Sequence, residues 1–124
     1  MAKKILIVDD EPNIVQVIAE RLSASGYKVV VGYDSVQAVN LAHSEKPDLI
    51  LLDIKMPAGG GIGVFESLKR SVHTSIIPVI FITAYGDEET RKKVIDKGAA
   101  DFITKPFESN DLIMRVKKAL GELK

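Results

Sequence analysis

The sequence predicts a three-layer α/β protein, a (βα)5 chain in which five parallel strands carry helices on both faces. Short apolar segments alternate five times with longer segments that have apolar residues at helical spacing. Three of the short segments, at residues 5–8, 49–52 and 78–83, are apolar on both faces, as parallel strands between two helix layers are. Because 124 residues make one domain of ordinary size, we expect residues 1–124 to form a single unit.

The first strand and the first helix have clear boundary residues. The β-rich segment Ile-Leu-Ile-Val at residues 5–8 stops at two aspartates, and residues 12–25 then show helical periodicity. We expect Asp10 to cap this helix, Pro12 to occupy its first turn and Gly26 to end it.

The middle of the chain repeats the strand–helix pattern twice. A second strand at 27–31 leads into a helix at 35–44. A third strand at 49–52 is followed by a glycine-rich loop at 58–61, which we expect to be mobile, and by a helix at 62–70. The second helix has three apolar residues that we expect to face the core, Val36, Val39 and Leu41.

The last two units complete the pattern. The fourth strand, at 78–83, precedes a polar helix that Asp87 caps and that Gly98 ends after Lys97. The fifth strand, at 101–104, precedes a helix that we expect Ser109 to cap. Four apolar residues line one face of that last helix: Leu112, Ile113, Val116 and Leu120.

Chain connectivity favours one strand order for the sheet, and composition excludes several kinds of site and partner. Right-handed crossovers in a chain this short favour the flavodoxin-like strand order 2-1-3-4-5, in which ligands bind beyond the carboxyl ends of strands 1 and 3. The absence of cysteine excludes disulfides and thiolate metal sites and fits a cytoplasmic protein. Lys plus Arg and Asp plus Glu both number 17, which argues against direct nucleic-acid binding. No apolar segment is long enough to cross a membrane, and no secretory signal is present.

Polar residues follow four of the strands at the edge where ligands are expected. They are Asp9 and Asp10 after strand 1, Asp53 after strand 3, Thr83 after strand 4 and Lys105 after strand 5. Each signal alone has an ordinary interpretation, since an aspartate pair before a helix is usually a cap and Lys-Pro is usually a solvated turn. Their joint placement at one edge instead favours a functional site.

The residue types at this edge suit phosphoryl chemistry. Three carboxylates close together repel one another, and a hard divalent ion such as Mg²⁺ would hold them. A lysine and a hydroxyl group near that ion can contact the oxygens of an anion. Because carboxylates form covalent intermediates with phosphoryl groups, the site is equipped to accept one.

Four motifs in order along the chain resemble those of one family. They are Ile-Leu-Ile-Val-Asp-Asp-Glu-Pro at 5–12, Asp-Leu-Ile-Leu-Leu-Asp-Ile-Lys-Met-Pro at 48–57, Pro-Val-Ile-Phe-Ile-Thr-Ala at 78–84 and Gly-Ala-Ala-Asp-Phe-Ile-Thr-Lys-Pro-Phe at 98–107. Over essentially its whole length the chain resembles a response-regulator receiver domain, the CheY-like phosphoacceptor of two-component signalling. The resemblance implies a CheY-like fold.

The resemblance implies a metal site and a phosphoacceptor. Asp53 falls at the phosphoaccepting position, and Asp9 and Asp10 fall on the acidic pair that binds Mg²⁺. The backbone carbonyl of Lys55 and the side chain of Asp53 are the other implied ligands, and we expect Mn²⁺ to substitute for Mg²⁺.

The resemblance also implies which residues contact the phosphoryl group and which residues change conformation when it is present. Lys105 and the backbone of Ala84 fall at phosphoryl-contacting positions. Thr83 and Phe102 match the switch hydroxyl and the switch aromatic residue. The bond before Pro106 is typically cis in the family.

The chain departs from the common pattern in the loop at 58–61 and at Phe102, which lacks the hydroxyl group that a tyrosine would carry. The loop at 58–61 lacks the acidic residue that many members carry before its final glycine. Lys55 and Tyr85 occupy positions that resemble those tuning the lifetime of the phosphoryl group.

The implied partners are proteins. The donor would be the phosphohistidine of a sensor histidine kinase or of a histidine phosphotransfer protein. The recipient of the signal would be a downstream target or an output domain, reached through helix 4, strand 5 and helix 5. Phosphorylation-dependent homodimers through this face are a further expectation, with Asp101 and Arg115 as a candidate charge pair.

Three other classes fit the sequence less well. A metal-dependent phosphatase would often have an acid two residues after the nucleophile, where this chain has Lys55, so we do not expect a turnover enzyme. A flavodoxin-like cofactor binder would not place Asp-Asp-Glu where a phosphate must sit. A pseudo-receiver that acts only as a scaffold is the remaining alternative, and it would usually lack one of the five site residues.

Overall fold

Five strands and five helices alternate along residues 2–56, 60–84 and 86–122, the parts of the chain that the computed structural model describes. The strands are β1 Lys4–Val8, β2 Lys28–Gly32, β3 Leu49–Asp53, β4 Val79–Thr83 and β5 Asp101–Thr104. The helices are α1 Pro12–Ala24, α2 Ser35–Glu45, α3 Gly60–Lys69, α4 Glu88–Asp96 and α5 Ser109–Ala119. Ala58 and Gly59 of the predicted glycine-rich loop lie outside the described residues, and so does Tyr85.

The sheet has the predicted topology. All four strand pairs are parallel and the order is β2-β1-β3-β4-β5, which confirms the expected fold class. In this order the carboxyl ends of β1 and β3 are neighbours, because Val8 pairs with Leu52. The next pair in the register, Asp53 with Ile82, brings the end of β4 to the same edge.

Two apolar layers hold the helices on the sheet. One layer joins the sheet to α2, α3 and α4, and the other joins it to α1 and α5. Alternate residues of each central strand enter opposite layers, as Phe81 and Ile82 of β4 do. The rings of Phe65 and Phe81 meet edge to face, with centroids 5.3 Å apart, and join α3 to β4. These layers fix the strand ends that carry the polar residues.

Two predicted helix caps are wrong. The N-cap of α1 is Glu11, not Asp10, and the N-cap of α5 is Glu108, not Ser109. Neither Glu side chain makes a capping hydrogen bond. Asp10 stays in the loop after β1, because the chain turns there around the Asp9 carboxylate, which accepts a hydrogen bond from the backbone N–H of Glu11 at 3.0 Å.

The buried face of α2 confirms the prediction for Val39 and Leu41, which are partly buried against the core, and differs from it at Val36. Ala38 and Ala42 are buried, whereas the side chain of Val36 is 62% exposed. The two elements pack closely, since a Cβ added at Gly32 of β2 would lie 3.3 Å from Cδ1 of Leu41 in α2. Hydropathy alone did not identify Ala38 and Ala42 as residues of the helix face that packs on the sheet.

The helix α4 depends on its cap. The carboxylate of Asp87 accepts a hydrogen bond of 2.7 Å from the backbone N–H of Thr90, which confirms the predicted cap and lowers the pKa of Asp87 below its ordinary value. Only Val94 of this helix is buried. Because few apolar contacts hold α4, the cap contributes a large share of its local stability.

Replacing Asp87 with alanine should therefore loosen α4 selectively. We expect amide hydrogen exchange in α4 to accelerate roughly fivefold, since the cap is lost. The measurement is hydrogen exchange followed by NMR. The matched control is Asp34→Ala, which removes the equivalent cap of α2, where Asp34 accepts from the Gln37 N–H at 2.8 Å. An equal acceleration in every helix of the Asp87 variant would contradict this prediction.

Candidate functional site

The carboxyl ends of four strands enclose a cleft of about 220 Å³. Its lining comes from the loops after β1, β3, β4 and β5: Asp10, Glu11, Asp53, Lys55, Ala84 and Lys105. The structure thus brings together residues that lie almost 100 positions apart in sequence, at the edge where the parallel-sheet rule placed them.

Four carboxylates meet in and beside this cleft. Asp9, Asp10, Glu11 and Asp53 each offer an oxygen, and these oxygens all lie within 4.8 Å of one another. Asp9 and Asp53 are buried, whereas Asp10 and Glu11 are exposed. Oxygen ligands at this spacing, with an open side toward solvent, fit a hard divalent cation such as Mg²⁺. Sequence reasoning missed Glu11, although its position directly after the acidic pair was a usable signal.

The ammonium group of Lys105 balances part of this negative charge. Its Nζ lies 2.7 Å from Asp9 Oδ2, 3.2 Å from Glu11 Oε1 and 3.7 Å from Asp53 Oδ2. Burial alone would lower the pKa of Lys105, but the hydrogen bond to Asp9 and the nearby carboxylates raise it above its ordinary value. Lys105 is therefore a charged group at neutral pH. The peptide bond between Lys105 and Pro106 is cis.

The surroundings of the Asp53 carboxyl group favour its neutral form, whereas those of Lys105 favour the charged form. Burial raises its pKa from 3.8 to about 6, and the charge of Asp9 adds to the rise. The charge of Lys105 and a hydrogen bond from the backbone N–H of Lys55 act in the other direction without cancelling it. Added positive charge near Asp53, such as a divalent cation, would favour the ionised form that acts as a nucleophile.

The backbone beside Asp53 is held by a close approach of α3. The N–H of Gly61 donates a hydrogen bond of 2.7 Å to the carbonyl of Ile54. A Cβ added at Gly61 would lie 2.0 Å from the carbonyl oxygen of Asp53, so only glycine fits there. Gly61 lies inside α3, so the expectation of a mobile loop over residues 58–61 is wrong for this residue.

The two expected switch residues, Thr83 and Phe102, are buried and are not among the residues that line the cleft. Thr83 ends β4 and is fully buried. By strand alternation Thr83 points to the same face of the sheet as Phe81, the face covered by α2, α3 and α4. Phe102 is buried on that same face, where it belongs to one cluster with Val94 and Ala99.

The surface of α4, β5 and α5 contains charged pairs within the chain. Arg115 of α5 binds Asp101 at 2.8 Å and Asp111 at 3.0 Å. The charged pair that we considered for a dimer contact, Asp101 with Arg115, is thus formed inside one chain.

Across the described ranges, no helix has the length and apolarity needed to cross a bilayer.

Comparisons with known proteins agree with this geometry. The family model of the response regulator receiver domain matches residues 5–117. The chain is 42% identical over 123 residues to the phosphate regulon transcriptional regulatory protein PhoB of Escherichia coli, a match that covers 99% of this chain and 54% of PhoB. The chain therefore spans about half the length of the curated relatives that it matches.

Solved structures give the same result. A CheY-like response regulator receiver domain protein from Methanospirillum hungatei superposes with a TM-score of 0.90 at 29% identity, covering 98% of this chain and 96% of that one. The receiver domain of the sensor histidine kinase PA1611 from Pseudomonas aeruginosa, solved with a magnesium ion in its active site cleft, gives 0.89 at 28% identity, covering 98% and 99%. Together with the acidic cleft, these matches establish that the chain belongs to the response regulator receiver domain family.

Proposed function

We propose that residues 1–124 form one receiver domain, a signalling phosphoacceptor and not a turnover enzyme, in which Asp53 accepts a phosphoryl group in the presence of Mg²⁺. The observation that carries this proposal is the buried carboxylate of Asp53 in a cleft that it shares with Lys105 and with the oxygens of Asp10 and Glu11. The donor is a phosphohistidine of a sensor histidine kinase or of a histidine phosphotransfer protein.

The chemistry is a transfer between two nucleophiles. An oxygen of the Asp53 carboxylate attacks phosphorus, the bond from phosphorus to the donor's imidazole nitrogen breaks, and the imidazole leaves with that electron pair. Asp9, Asp10, Asp53 and the carbonyl of Lys55 would hold Mg²⁺, which supplies positive charge that offsets the charge on the transferring oxygens. Both Lys105 and Ala84 line the cleft, and we propose that the Lys105 ammonium group and the backbone N–H of Ala84 hold those oxygens.

The signal leaves the site through β4 and β5. A phosphoryl group adds charge and hydrogen-bond acceptors beside Ala84, directly after Thr83. We propose that the Thr83 hydroxyl turns toward it and that Phe102 shifts in the space that this movement opens. Such a change shifts an existing equilibrium between two packings of the α4–β5–α5 face. That face would then bind a target, an output domain or a second copy of the chain.

Intact mass spectrometry tests the proposal. The protein is incubated with Mg²⁺ and acetyl phosphate, a small phosphodonor, and we expect one phosphoryl adduct per chain. The adduct should be absent when a chelator removes Mg²⁺, and absent in Asp53→Asn. If a folded sample that binds Mg²⁺ forms no adduct, Asp53 is not the acceptor, and a phosphorylation-independent scaffold becomes the better interpretation.

A further inference from the structure

The three carboxylates around Lys105 do not share its ammonium group equally. The distances of 2.7 Å to Asp9 and 3.2 Å to Glu11 are hydrogen bonds. The distance of 3.7 Å to Asp53 is too long for one. Lys105 is therefore drawn toward the loop after β1 and away from the carboxylate of Asp53.

Asp9 and Glu11, the two residues that bind the Lys105 ammonium group, differ in how easily that ion pair can be broken. The side chain of Asp9 is 1% exposed, and its other oxygen is engaged by the N–H of Glu11. The side chain of Glu11 is 59% exposed and has no comparable restraint among the hydrogen bonds of the described residues. Asp9 is thus the more constrained partner of Lys105, whereas Glu11 can exchange the ammonium group for water at little cost.

We propose that Glu11 is a positioning residue for Lys105: it holds the ammonium group off Asp53 in the metal-free site and so leaves Asp53 open to the divalent ion. The inference deepens the proposed function and rests on it for the identity of the site. When a phosphoryl group arrives, Glu11 releases Lys105, because a phosphoryl group carries more negative charge and more acceptor oxygens than an exposed carboxylate.

Loss of the Glu11 carboxylate has a predictable consequence for metal binding. In Glu11→Gln the ammonium group has only Asp9 and Asp53 as charged partners, so it moves toward Asp53. An ammonium group paired with Asp53 competes with a metal ion for the same oxygen. We expect the dissociation constant for Mg²⁺ to rise roughly threefold to fivefold, the size of effect typical of one partly exposed ion pair.

A double-mutant cycle separates positioning from simple loss of charge. The dissociation constant for Mg²⁺ is measured by calorimetry for the full chain, for Glu11→Gln, for Lys105→Met and for both changes together. If Glu11 acts through Lys105, the effect of Glu11→Gln becomes much smaller in the Lys105→Met background. The matched control is Glu89→Gln, which removes one surface negative charge from α4 and should leave the Mg²⁺ affinity unchanged.

Two results would overturn the proposal. One is an unchanged Mg²⁺ affinity in Glu11→Gln. The other is an equal loss of affinity with and without Lys105, which would mean that Glu11 acts on the metal by its charge alone. Failure of the proposed function would look different, because the unmodified chain would then form no phosphoryl adduct while the cycle in Mg²⁺ affinity kept its coupling. An unmodified chain that bound no Mg²⁺ would overturn both proposals.

Discussion

Asparagine in place of Asp53 should stabilise the fold while it removes the phosphoacceptor. The carboxyl group of Asp53 is 4% exposed, lies among other acids, and has its pKa raised from 3.8 to about 6. Between those two pH values the folded protein retains a proton that the unfolded chain has lost. The stability contributed by this group is complete below 3.8 and disappears as the pH rises through about 6.

The size of the effect follows from the pKa difference. A rise of about two pKa units corresponds to about 3 kcal/mol of cost above both values. Asparagine cannot ionise, so we expect Asp53→Asn to raise the free energy of unfolding at pH 7.5 by about 2 kcal/mol and to leave it nearly unchanged near pH 4. The site therefore retains a charge that the fold alone would not favour.

Urea unfolding in the presence of a chelator, at several pH values between 4 and 8, measures this difference. The matched control is Asp96→Asn, an exposed acid at the end of α4, which should change the stability little. Addition of Mg²⁺ should stabilise the unmodified chain and not Asp53→Asn, since the metal binds the native ionised carboxylate. A variant less stable than the unmodified chain at pH 7.5 would show that Asp53 contributes net stabilising contacts.

Alanine in place of Gly61 should have the opposite effect on stability. The added Cβ would lie 2.0 Å from the carbonyl oxygen of Asp53 and 3.0 Å from the Cα of Ile54. Both are backbone atoms, which no side-chain rotation can move away. Either α3 or the end of β3 must shift, and both are packed into the core through Phe65 and Leu52. We expect a loss of about 3 kcal/mol, at the upper end of the usual cost of overpacking.

The same helix offers a matched control. Gly63, also in α3, has no atom within 4 Å of an added Cβ. Gly63→Ala should therefore stabilise the protein by about 0.5–1 kcal/mol, because alanine favours the helix over the unfolded chain. Urea unfolding of both variants measures the contrast. Similar free energies of unfolding for Gly61→Ala and Gly63→Ala would contradict the close approach of α3 to Asp53.

The order of the elements and the edge at which the chemistry lies could both be predicted from the amino-acid sequence. Apolar segments such as residues 49–52 can be buried on both faces only in a parallel sheet between helix layers. Because parallel strands all end at the same edge, Asp53 and Lys105 could be expected at that edge before any contact between them was known. These properties depend on periodicity and connectivity, which are local features of the chain.

The neighbours of each group, by contrast, depend on how the elements pack in three dimensions. The face of α2 that is buried, Ala38 and Ala42, depends on how closely the helix approaches the sheet. The need for glycine at position 61 comes from a carbonyl group on another element. The Nζ of Lys105 lies 2.7 Å from Asp9 and 3.2 Å from Glu11 but 3.7 Å from Asp53, so its preference is a matter of 1 Å or less. Distances of this size are set by packing between segments far apart in sequence, and no local pattern encodes them.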